Sequence, residues 1–96
     1  MATAPRDISR QLARPLQAGD FSLAVQLYRL ARTELTAGSH HLGGLALFQN
    51  GDPKEGIDSL QKAIELDPEN EAMVLDLYSM VSEYLTADDA QRILEK

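Results

Sequence analysis

Residues 51–70 read GDPKEGIDSLQKAIELDPEN. Gly51 supplies the positive φ that ends a helix, and Asp52 stands where a carboxylate can cap the next one. Pro53 fits the first helical position, where its missing N–H costs nothing. Pro68 cannot continue a helix and disfavours helical geometry at Asp67, so the segment stops there. Between these marks, Gly56, Leu60 and Ala63 fall at i, i+4, i+7 on one face. A face that runs small, large, small expects a second helix to lie close against it.

Much of the same pattern occurs earlier, in GDFSLAVQLYRLA over 19–31. Aligning the two Gly-Asp pairs puts Ala24 over Gly56, Val25 over Ile57, Tyr28 over Leu60 and Ala31 over Ala63, an offset of 32 residues. A truncated third copy places Ala90 over Gly56 and Leu94 over Leu60 at an offset of 34. Self-similarity at this period predicts stacked helical hairpins, each needing its neighbour to hide its apolar side. The expected fold is all-α, an α-solenoid of two and a half to three hairpins within one domain, 1–96. Repeats are expected over about 5–36, 37–70 and 71–96, and six helices over about 5–18, 21–35, 38–50, 53–67, 70–85 and 87–95. In the fifth, Val74, Leu77, Tyr78 and Val81 form an apolar stripe.

These residues resemble the tetratricopeptide repeat, a helix–turn–helix unit. In the middle copy Gly44 fills the small position of the first helix and Leu47 the large one. Gly51-Asp52 makes the turn, Leu60 and Ala63 the second-helix face, and Pro68 the closing proline. The resemblance implies a concave surface lined by the first helix of each hairpin. Its groove positions fall on Arg6 and Ser9, then His41, Leu45, Phe48 and Gln49, then Leu75, Ser79, Ser82 and Glu83. Phe48 reads equally as an aromatic anchor for a bound segment or as core beneath the next hairpin. Relatives that clamp a C-terminal carboxylate use Lys, Asn and Arg at positions that here hold Ser9, Ala13, Leu42, Ala72 and Asp76. Shifting the first two helices by one gives Arg10, Arg14 and His41 but leaves the acidic third repeat, so a carboxylate-clamp co-chaperone is excluded.

Three features depart from the pattern. Pro15 lies inside the first helix, where a kink or early break is expected, since an interior proline costs about 3 kcal/mol. Gly43 and Gly44 sit inside the third helix at about 1 kcal/mol each relative to Ala, tolerable where another helix crosses very closely. Tyr78 occupies a place that the family gives to Gly or Ala, so the last hairpin is expected to splay. The register of the third helix has two readings: counting back from Gly51 selects Gly44 as the small residue, whereas Leu42-Gly43 resembles the family dipeptide one residue earlier.

Composition narrows function. The chain has no cysteine, which removes disulfides, thiolate metal sites and a Cys nucleophile. No run approaches the roughly 20 apolar residues of a membrane span, and no signal-like segment opens the chain, so a cytoplasmic protein is expected. Net charge is −6, which repels a phosphate backbone and argues against nucleic acid. The charge is split: residues 1–38 carry five basic and three acidic side chains, +2, and the remainder four and twelve, −8. Adjacent His40 and His41 point about 100° apart on a helix and do not jointly chelate; His40 is expected partly inside and His41 toward the groove. No nucleophile elbow and no phosphate loop appear, and neither catalytic nor metal residues nor a cofactor are assigned. The expected role is a scaffold that binds a partner peptide or helix in the groove. Alternatives are a small secretion-type chaperone for a hydrophobic client, the interaction domain of a larger protein, and an oligomer assembled through uncapped terminal helices.

Overall fold

The computed structural model describes residues 4–31 and 34–94, with side chains described through Thr86. Five helices follow one another: α1 Ser9–Gln17, α2 Phe21–Leu30, α3 Ala37–Gln49, α4 Pro53–Leu66 and α5 Glu71–Leu94. The turns are as the sequence spells them. Gly19 and Gly51 adopt φ of 76° and 96°, a left-handed conformation open to glycine at no steric cost. Asp20 accepts from the Leu23 N–H to cap α2, and Asn70 accepts from Met73 to cap α5. Asp52 sits at the start of α4 but makes no capping bond; its carboxylate turns instead toward Arg29, at 3.6 Å. Pro53 opens α4, and Asp67 leaves helical geometry immediately before Pro68.

The helices pack as successive hairpins, α1 on α2, α2 on α3, α3 on α4 and α4 on α5, with α1 also against α3. Three small clusters replace a single centre. Ile8, Leu12 and Leu35 form the first; Ala24, Val25, Ala46 and Leu47 the second; Leu60, Ala63, Met73 and Met80 the third. This serial arrangement is what a stack of repeats produces.

The crossing of α3 and α4 brings backbone close to backbone and accounts for Gly44 and Gly56. A Cβ placed on Gly44 would stand 2.8 Å from the Gly56 carbonyl oxygen, and one placed on Gly56 would stand 2.6 Å from that of Gly44. Gly43 serves a different neighbour, because its missing Cβ makes room for the Tyr28 ring of α2. The two glycines thus face two helices, and Gly44 is the small residue of the hairpin. Ala63 is fully buried and Ala31 packs against the first cluster.

Three expectations are corrected. The first helix begins at Ser9, not near residue 5, because the preceding segment is extended. Arg6 forms a parallel bridge with Leu35, its N–H donating to Glu34 at 2.8 Å and its carbonyl accepting from Thr36 at 3.1 Å. The same bridge ends α2 at Leu30 instead of near residue 35, since burying Leu35 against Ile8 and Leu12 replaces another helical turn. At its other end α1 runs through Pro15 without a break there and stops at Gln17, within a residue of the expected bound at 18.

The third correction concerns the helix count, five among the described residues instead of about six. The expected turn near residue 86 does not form, and α5 runs unbroken to Leu94. Leu85-Thr86-Ala87-Asp88 contains neither the glycine nor the proline that closes the other hairpins, so nothing local stops the helix. The splayed final hairpin foreseen from Tyr78 is therefore one continuous rod. The side chains of Ala90 and Leu94, which carried the third copy, lie outside the described residues. Upstream, α5 buries Met73 and Met80, while Val74 and Tyr78 of the expected stripe face solvent at 38% and 74% exposure.

A polar knot fixes the start of the chain. One Asp7 carboxylate oxygen accepts from the Ser9 N–H and hydroxyl at 3.0 and 2.6 Å, and from the Thr36 and Ser39 hydroxyls at 3.3 Å each. These bonds, the Ser9 hydroxyl foremost, hold the Asp7 carboxyl below its usual value. Ser39 is fully buried and accepts from the Ile8 N–H at 2.8 Å. Replacing Ser39 by Ala strands that N–H and is expected to cost about 1–3 kcal/mol, read as a lower midpoint in urea with an unchanged slope.

Candidate interaction surface

Two helices supply most of the expected groove positions. On α3, His41, Leu45 and Phe48 are half-buried and Gln49 is exposed; on α5, Leu75, Ser79, Ser82 and Glu83 are exposed. His41 Nε2 stands 2.6 Å from Asp76 Oδ2 and so links α3 to α5. Asp76 was noted only as unsuited to a carboxylate clamp; its role as the partner of His41, 35 residues away, has no signal in local sequence.

Phe48 packs with Leu45 against the cluster of Leu60, Ala63, Met73 and Met80. Its backbone N–H lies beside Gly56 as well, at 2.8 Å from the position of an added Cβ. The ring therefore belongs largely to the joint between the second hairpin and α5. Leu75, 66% exposed, is the free apolar side chain among the groove positions. Arg6 lies on the extended bridge, outside any helix, and Ser9 spends its hydroxyl on Asp7 at the start of α1. The structure brings Ser9 to the beginning of α3, where Gly38 faces its Cβ.

A second polar group joins three helices. The Tyr28 hydroxyl of α2 lies 2.7 Å from His40 Nδ1 of α3 and 3.1 Å from Ser59 Oγ of α4, and the two rings meet edge to face. His40 is half-buried, as expected of it. Burial, aided by the Lys62 ammonium, holds its imidazole below the usual value, and burial raises the Tyr28 hydroxyl. The sign for stability follows. A histidine whose folded value is depressed contributes fully above its unfolded value, about 6.5, and loses that contribution as pH falls below it. Denaturant midpoints are expected to fall between pH 7 and pH 5, with a smaller fall in His40→Gln.

Arg29 reaches across from α2 to Glu55 of α4 at 3.0 Å. All these side chains are well exposed, so the pair contributes little. No helix among the described residues is long and apolar enough to cross a membrane.

No curated protein and no solved structure matches the chain. Residues 39–70, about a third of its length, match the family model of the tetratricopeptide repeat. That span holds most of α3, the Gly44–Gly56 crossing, the Gly51 turn and the closing Pro68, and over it the chain is similar to a tetratricopeptide repeat.

Proposed function

We propose that the surface shared by α3 and α5 holds an extended or helical segment of a partner protein. The repeat supports a protein–protein interaction role in general. The observation that carries the finer reading is Leu75, which stands 66% exposed on α5 while Gln49, Ser79, Ser82 and Glu83 offer polar groups at the other groove positions. An apolar anchor within a polar rim suits a peptide, whose backbone needs hydrogen-bond partners and whose side chains need one apolar seat. His41 and Asp76 couple the two walls, so a ligand meets a pre-set spacing. The acidic surface favours a neutral or basic segment and disfavours nucleic acid. No residue of the groove is assigned a catalytic role, and the surface reads as a binding site.

A peptide selected from a random display library provides the test, with its footprint mapped by amide chemical shifts. The expected footprint covers Leu45, Gln49, Leu75 and Ser79, and Leu75→Glu abolishes binding at an unchanged melting temperature. A footprint elsewhere, or full affinity in Leu75→Glu, overturns the reading.

A further inference from the structure

Because α5 runs on unbroken through the described residues, it carries a second apolar face, which meets the proposed groove at Leu75. Val74, Tyr78, Val81 and Leu85 recur at i, i+4, i+7, i+11 and share one side of α5. Tyr78 is 74% exposed, Leu85 54% and Val74 38%. A depression of about 230 Å³ adjoins this face, lined by Pro68, Val74 and Leu75 with Glu71 on its rim.

The opposite end of the stack has a counterpart. Leu23, Leu27 and Leu30 recur at i, i+4, i+7 on α2, and Leu23 and Leu30 belong to no buried cluster, at 42% and 73% exposure. Beside them lies a depression of about 130 Å³, lined by Ile8, Leu27, Leu30 and Ala31 with Arg6 at its edge. Arg10 and Arg14, one turn apart on α1, are exposed. Among the described residues, neither they nor Arg6 pair with a carboxylate.

We propose that these two ends meet, so that α5 of one copy lies on the α1–α2 end of a second copy, head to tail. Two stripes of the same helical spacing oppose each other, each beside a shallow seat. The rims are of opposite sign, arginines at one end and Glu71 at the other, within a chain whose first 38 residues carry +2 and whose remainder carries −8. Opposed charge steers and registers such a contact, and the apolar stripes supply its affinity. The contact also continues the solenoid, because each hairpin in the chain already packs on the next in this sense. A head-to-tail interface leaves one unused face of each kind and so closes into a ring or grows as a filament.

Sedimentation of the full chain with two variants tests this. Tyr78→Glu spoils the α5 face, and Arg10→Glu/Arg14→Glu spoils the α1 face. All three positions are exposed, and circular dichroism checks that each variant folds. The unmodified chain is expected to assemble with rising concentration, more weakly in high salt. Each variant alone is expected to be monomeric, whereas an equimolar mixture sediments as a 1:1 dimer, since each supplies the face that the other retains. Three results overturn the proposal: a monomeric parent chain up to about 1 mM, a mixture that stays monomeric, or an arginine variant that assembles like the parent. The last would place α5 on α5 in a symmetric pair.

Discussion

Gly56→Ala is expected to lower the unfolding free energy by about 2–3 kcal/mol or more, although alanine is the better helix former. The added methyl would stand 2.6 Å from the Gly44 carbonyl oxygen, 2.8 Å from the Phe48 nitrogen and 3.1 Å from the Phe48 Cβ. Two of those three atoms are backbone, so no rotamer change relieves the overlap and α3 must move as a unit. Moving it also disturbs the contacts that Phe48 makes with Leu60, Ala63, Met73 and Met80. Against a total of about 5–15 kcal/mol the loss is large. Gly38→Ala is the internal control in α3. Its nearest neighbour would be the Ser9 Cβ at 3.9 Å, an ordinary contact, so it is expected to stabilise by about 0.5–1 kcal/mol. Thermal denaturation of the pair measures both signs. Stabilisation by both would show that helix propensity, not the crossing, governs these positions.

Leu60→Ala is expected to cost about 2–5 kcal/mol. Leu60 is fully buried beneath the same crossing, and its side chain fills the space opened by Gly44, whose virtual Cβ lies 3.4 Å from the Leu60 Cβ. The backbone contacts between Gly44 and Gly56 prevent α3 and α4 from closing into the void, so the cavity term adds to the transfer term. Leu30→Ala on α2, at a position 73% exposed, is expected to change stability by no more than about 0.5 kcal/mol. Urea denaturation separates the two, and comparable losses would contradict the serial-cluster description of the core.

The middle hairpin was legible because its signals are local. Gly51, Pro53 and Pro68 act within a residue or two of where they stand, and the structure ends α3, starts α4 and ends α4 where they dictate. The double glycine of α3 was legible as a demand for close approach, yet only the packing shows that the demand comes from two helices at once. Where the reading leaned on the repeat period alone, it misplaced an element: the period asked for a turn near residue 86, and the residues there carry no instruction to make one. The start of the chain failed for another reason. Leu35 and Arg6 are far apart in sequence, and the bridge between them outweighs the helical propensity of either segment. That bridge took Arg6 out of the helix from which its groove position was inferred. On α3 and α5 the groove positions keep their helices, but the contact of His41 with Asp76 is a product of the fold, invisible to any window of sequence.

The two joints around α4 differ in what fills them. On one side, two glycines bring backbone against backbone; on the other, Met73 and Met80 of α5 meet Leu60 and Ala63. Backbone contact leaves no rotamer to adjust, whereas an unbranched thioether re-packs at small cost when its neighbours shift. The molecule is therefore stiff at its middle hairpin and compliant at its final rod.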